Sequence, residues 1–196
     1  MARPPLTHLL YLHGFRSSPQ STKARRMAQW LAANRPDVVW CCPQLPPSPC
    51  EAMRAVFAQV AGWPRESMAV IGSSLGGFYA TVVAEEFACR AVLLNPAVDP
   101  ARDLAKSVGE ISAWHSDERF HFQAEFVDEL RQLSPARLTD RDRYLAIIAK
   151  GDEVLDWREM SARYAGCKVM LLEGSDHSLS DFDLHLPELL RFLGLA

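Results

Sequence analysis

Basic charge is the first thing this sequence lacks. Its 21 Lys and Arg residues are outnumbered by 24 Asp and Glu, for a net charge of -3. Nucleic-acid binding needs a concentrated basic face, so the composition points away from a nucleic-acid partner. The one basic cluster, K-A-R-R at Lys23–Arg26, reads as the solvated face of a helix. Long apolar runs are missing too. No segment approaches the ~20 residues that span a bilayer, so no membrane span is expected. The N-terminal stretch L-T-H-L-L-Y-L resembles a leader only superficially. His8 interrupts it, and no small-residue cleavage site follows, so a soluble, cytoplasmic protein is expected. The five cysteines are odd in number and never spaced C-x-x-C, which fits buried free thiols better than a disulfide or zinc framework. No H-x-x-x-H or carboxylate cluster offers ligand spacing, so neither metal nor cofactor is expected. There is no internal repeat.

Hydrophobic residues make up 48% of the 196, enough for one sizeable core and one domain over 1–196. Short apolar runs alternate with amphipathic ones. Strands are expected at 6–12, 38–42, 68–71, 91–94, 144–149 and 168–172. Helices are expected after Ser21 or Thr22, which would cap the first, through Met53–Val60, over Gly76–Ala88 and over Leu184–Leu193. Continuously apolar strands separated by helices give a mostly parallel sheet of about six strands with helices on both faces, an α/β fold. The alternation pauses at 99–143. There Phe122, Phe126, Leu130 and Leu133 share one helical face, so this stretch is either a small lid or a helix packed permanently on the sheet.

Residues 71–77 read I-G-S-S-L-G-G. Only Ser74 has glycines at both flanking positions of G-x-S-x-G; the same register around Ser73 would use Ile71 and Leu75. An apolar strand precedes the motif and an apolar helix follows it, as a strained strand-to-helix elbow requires. The oxyanion donors would be the N–H of Leu75 and, from the H-G-F loop after the first strand, that of Phe15. His13 reads as a structural residue of that loop. On this architecture the acid and then the histidine follow the serine. His177 in G-S-D-H-S satisfies the order, whereas His185 falls inside the last helix. Asp152 is the first carboxylate off the strand at 144–149. Asp99 is the fallback acid, Asp156 reads as a helix cap, and Asp176 is adjacent to the histidine it would have to orient. The Ser74–His177–Asp152 set is the machinery of acyl transfer through a covalent intermediate.

Together L-Y-L-H-G-F-R-S-S-P, G-S-S-L-G-G-F-Y-A, N-P-A-V, G-D-E-V-L-D and G-S-D-H resemble the YqiA-type esterases of the α/β-hydrolase superfamily, from near Leu10 to near Phe182. The resemblance implies a compact α/β-hydrolase fold. It implies a small bacterial cytosolic serine esterase acting on acyl esters or acyl-CoA thioesters, with Ser74, Asp152 and His177 as triad. One departure is Leu179, where the family carries an aromatic. Trp114, Phe120, Phe122 and Phe126 are the expected pocket residues, and a small-molecule acyl ester or thioester is the expected partner. Acyltransfer by the same triad, and a non-catalytic ligand-binding role on the same fold, are the competing readings. Oligomeric state is not legible.

Overall fold

The computed structural model describes residues 4–112 and 119–196. In chain order the strands are β1 (His8–Leu12), β2 (Val39–Cys41), β3 (Met68–Ser73), β4 (Arg90–Leu94), β5 (Gly109–Ser112), β6 (Arg119–Phe122), β7 (Tyr144–Ala149) and β8 (Lys168–Leu172). The helices are α1 (Thr22–Asn34), α2 (Pro49–Val60), α3 (Leu75–Phe87), α4 (Pro100–Leu104), α5 (Ala124–Leu133), α6 (Trp157–Arg163) and α7 (Phe182–Leu193). Six strands form one sheet in the order β2-β1-β3-β4-β7-β8, and every pairing in it is parallel.

The period-two alternation of a strand explains why the central strands are apolar throughout. Leu10, Leu12, Val70, Leu93 and Ile148 point into one core, which α2, α3, α5 and α6 cover. Leu9, Tyr11, Ile71, Leu94 and Ile147 point into the other, which α1 and α7 cover. Every residue of β3, β4 and β7 is buried. Each such Leu or Ile contributes roughly 1.5–3 kcal/mol on leaving water. No helix among the described residues is long and apolar enough to cross a membrane.

Three local readings need correction. Ser21 occupies the N-cap of α1, but its side chain makes no capping bond. The better-built start belongs to α2, where the Ser48 hydroxyl accepts from the Glu51 N–H at 3.2 Å and Pro49 takes the first helical position. Of the five cysteines, all free, only Cys89 is fully buried. The third concerns the 99–143 stretch. Phe122 is not on the helix with Phe126; it ends β6, which pairs antiparallel with β5 in a separate two-stranded sheet. Arg119-Phe120-His121-Phe122 alternates polar and apolar, a strand period, and both phenylalanines turn inward to Phe15. The helical spacing of Phe122 from Phe126 was coincidental.

Candidate active site

Parallel strands bring their carboxyl ends, and the loops that follow them, to one edge of the sheet. The loops after β1, β3, β7 and β8 carry His13–Phe15, Ser74, Asp152 and His177 respectively, and the fold brings these residues together. Ser74 sits between β3 and α3 at φ 57° and ψ -122°. That region is costly for a residue with a Cβ, about 1–3 kcal/mol. The surroundings hold it there. The Ser74 N–H donates to Leu94 O (3.0 Å), and its carbonyl accepts from the Gly77 and Ala97 N–H groups at 2.8 and 3.0 Å.

The flanking glycines follow from close approach. A Cβ on Gly72 would lie 2.0 Å from the Gly76 carbonyl oxygen, and one on Gly76 would lie 2.0 Å from that of Leu12. Strand, turn and helix therefore touch backbone to backbone. The β1 loop packs equally near. A Cβ on Gly14 would stand 3.3 Å from Ser74 Cβ and 3.7 Å from its Oγ, which puts the next residue, Phe15, beside the serine.

The Ser74 Oγ lies 3.1 Å from His177 Nε2, and His177 Nδ1 lies 2.8 Å from Asp152 Oδ2. The Asp152 carboxylate is fully shielded from solvent. Its other oxygen accepts from the N–H groups of Val154 and Leu155, each at 2.8 Å. Two amide donors plus an imidazole N–H fix its plane. The His177 backbone N–H donates to Glu153 at 3.0 Å, so the loop after β7 holds both the main chain and the ring of the histidine.

The alternatives lie elsewhere. The Asp99 side chain caps α4 by accepting from the Arg102 N–H, Asp156 caps α6, and Asp176 accepts from the Ser180 N–H. His185 is bonded to Asp181 at 3.0 Å. His13 accepts the Leu45 N–H at Nε2 (3.1 Å) and so ties the β1 loop to the proline-rich loop.

A cavity of about 250 Å³ opens between those two loops and reaches Leu75, the residue after Ser74. Phe15 and Leu75, the expected oxyanion donors, line it, and so do Leu45, Pro46, Tyr79 and Phe120, with Arg16 and Gln44 as polar members. First-turn amides such as that of Leu75 have no acceptor within their own helix. Of the other expected pocket residues, Phe122 and Phe126 do not line this cavity. They are buried behind it, with ring centroids 5.4 Å apart and Phe15 packed on Phe122 at 5.3 Å. Trp114 lies outside the described residues. The wall built by Leu45, Pro46 and Tyr79 was missed. The prolines signalled a fixed loop but not its position.

Lys23 was expected on a solvated face. The structure half-buries it, and its ammonium donates to the Ser178 carbonyl, next to the histidine. Burial pulls its pKa down from 10.5 to about 8, and the carboxylates of Asp176 and Asp152 partly oppose the shift. The unfolded chain keeps this proton up to about pH 10.5, while the folded chain releases it from about pH 8. The charged form therefore costs stability below pH 8, and the cost fades as pH rises from 8 to 10.5. Lys23→Met is expected to melt about 2–4 °C above the parent at pH 7, with the gap closing by pH 10.5. A gap that widens with pH in paired thermal melts would contradict this.

The model of an uncharacterised protein family, UPF0227, matches residues 8–194. Among solved structures, the chain is similar to mouse alpha/beta hydrolase domain-containing protein 10 at 14% identity and TM-score 0.70, covering 95% of this chain and 90% of that one. It is similar to a structure from work on the metagenome-derived lipolytic enzymes LipS and LipT at 20% identity and TM-score 0.70, covering 98% and 95%. The esterase domain of a Rhodothermus marinus protein matches at 22% identity and TM-score 0.64, covering 91% and 81%. At such identities the likeness establishes the fold, and that fold is the α/β-hydrolase fold.

Proposed function

The chain belongs to UPF0227, the YqiA-like family, whose model spans nearly all of it, and on that footing we propose that it is a serine esterase. It cleaves acyl esters with Ser74 as nucleophile, His177 as base and Asp152 as the group that orients the base. The observation that carries this reading is the relay of 3.1 Å and 2.8 Å from Ser74 through His177 to a solvent-shielded Asp152. The esterase and lipolytic neighbours on the same fold agree with it.

Ser74 Oγ bonds to the ester carbonyl carbon as its proton passes to His177 Nε2. The carbonyl oxygen takes up the charge and is held by the N–H groups of Phe15 and Leu75, at the positive end of α3. The carbon–oxygen bond to the alcohol then breaks, and His177 returns the proton to the departing oxygen. Water enters, loses a proton to His177 and attacks the acyl carbon, which frees the acid and restores Ser74.

The cavity sets the acyl group. A 150 Å³ apolar cavity holds benzene, so about 250 Å³ holds roughly ten non-hydrogen atoms. A fluorophosphonate probe is expected to modify the wild-type protein at Ser74, with the site read by peptide fragmentation. kcat/KM over a series of p-nitrophenyl esters is expected to peak near hexanoyl to decanoyl. Modification at Ser73, or none, sinks the reading. Faster turnover of acyl-CoA than of the ester of equal length moves the substrate to a thioester.

A further inference from the structure

The histidine must be held over the serine by something other than its own ring, because a loop on the end of β8 can swing. Beneath that loop lies Asn95, the residue after β4, with no exposed surface. Its φ of 44° is left-handed, a region that asparagine tolerates better than other residues with a Cβ. Its backbone N–H donates to Ile147 O of β7 at 2.9 Å. Its side-chain Nδ2 donates twice, to the Asp176 carbonyl at 2.9 Å and to the His177 carbonyl at 3.1 Å. Its Oδ1 accepts the Ala149 N–H at 2.8 Å. Both amide hydrogens and the amide oxygen are thus used, which fixes the orientation of the amide by chemistry.

We propose that Asn95 is a positioning residue for the base, its buried amide locking the His177 loop to the strand that carries the acid. The proposal rests on the reading of His177 as the base. Ala149 is the last residue of β7, and Asp152 follows in the next turn. One side chain therefore sets the acid-bearing strand and the base-bearing loop in a common frame. Only a short amide does this. Alanine offers no donor, and an ionised aspartate keeps the acceptor for Ala149 but turns a bare oxygen towards two carbonyls. The charged groups that face the histidine loop are Asp152 on the ring, Glu153 on its N–H, Asp176 beside it, Asp181 on the Ser175 hydroxyl and Lys23 on the Ser178 carbonyl. All of them remain when Asn95 is replaced, so the effect is one of displacement and not of lost charge. A misplacement of about 1 Å in such a relay costs about 10²-fold.

The test uses the full chain with a p-nitrophenyl ester and a fluorophosphonate probe. Asn95→Ala and Asn95→Asp at pH 8 are each expected to lower kcat about 10²-fold with KM within twofold, and to slow labelling of Ser74 by a similar factor. Ile148→Val, a core change in the same strand as Ala149, serves as a destabilised control that keeps kcat and KM. The proposal is overturned if either Asn95 variant keeps wild-type kcat, or if the Ile148→Val control loses kcat along with melting temperature as the Asn95 variants do. Failure of both variants to fold also overturns it, in favour of a purely structural role. If the wild type itself is not labelled at Ser74, the esterase reading fails; a labelled wild type with unaffected variants removes only Asn95.

Discussion

Ser74→Ala is expected to lower kcat for an acyl ester by about 10⁶-fold, with KM and thermal melting nearly unchanged. The size of the effect follows from what the hydroxyl does. On the proposed mechanism it supplies the bond that splits one hard displacement into two easier ones. Ser73, its neighbour, is buried as the last residue of β3 and pairs with Leu94 in the sheet. Ser73→Ala is therefore expected to keep kcat within about tenfold, since it removes a hydroxyl that the relay does not include. On the same mechanism the residual rate of Ser74→Ala over water, about 10³–10⁴-fold, would come from the proposed oxyanion donors and the cavity. His177→Ala should cost about as much as Ser74→Ala, and the double variant hardly more, because the two act as one unit. Turnover by Ser74→Ala within 10²-fold of wild type, after active-site titration to exclude contaminating enzyme, rules the serine out as nucleophile.

The asymmetry between the two serines is legible in the sequence, and the reason is steric. The backbone contacts of 2.0 Å that a Cβ would make at Gly72 and Gly76 leave glycine as the residue that fits. A sharp turn thus writes itself into the chain as a register, and that register falls on Ser74 alone. The parallel sheet was legible for a similar reason. Strands covered on both faces have no polar face, so β3, β4 and β7 appear as unbroken apolar runs. Order along the chain then restricted the histidine and the acid.

What the sequence hid is whatever depends on distant segments meeting. Phe122 satisfied a helical spacing and a strand alternation at once. Its pairing with Gly109 across the β5–β6 ladder decided between them, and a pairing partner has no local signature. The cavity wall of Leu45, Pro46 and Tyr79 comes from two segments far apart in the chain that the fold sets side by side. Lys23 looked like any solvated lysine until α1 packed against the loop after β8. Asn95 stood in the N-P-A-V motif with no assigned task, because its three side-chain partners lie more than fifty residues away.

Asp152→Asn is expected to lower kcat by about 10⁴-fold while leaving KM and the fold in place. Oδ1 of Asp152 is committed to two donors, the N–H groups of Val154 and Leu155. An asparagine must therefore place its carbonyl oxygen there, since an NH₂ group would meet two N–H groups with no acceptor between them. Its NH₂ is then left in the position of Oδ2, 2.8 Å from His177 Nδ1. An imidazole facing a donor at Nδ1 must accept there, and so carries its proton at Nε2. That is the nitrogen 3.1 Å from the Ser74 hydroxyl, and once protonated it cannot take the serine proton. The variant thus holds the right geometry with the wrong tautomer. Asp152→Ala, which leaves the tautomer free, should lose no more than Asp152→Asn although it removes more atoms. The imidazole proton resonances give a direct check: the Nδ1 proton of the wild type should vanish in Asp152→Asn and an Nε2 proton should replace it. An Asp152→Asn enzyme within tenfold of wild-type kcat excludes Asp152 as the residue that orients the base, whatever the distance between them.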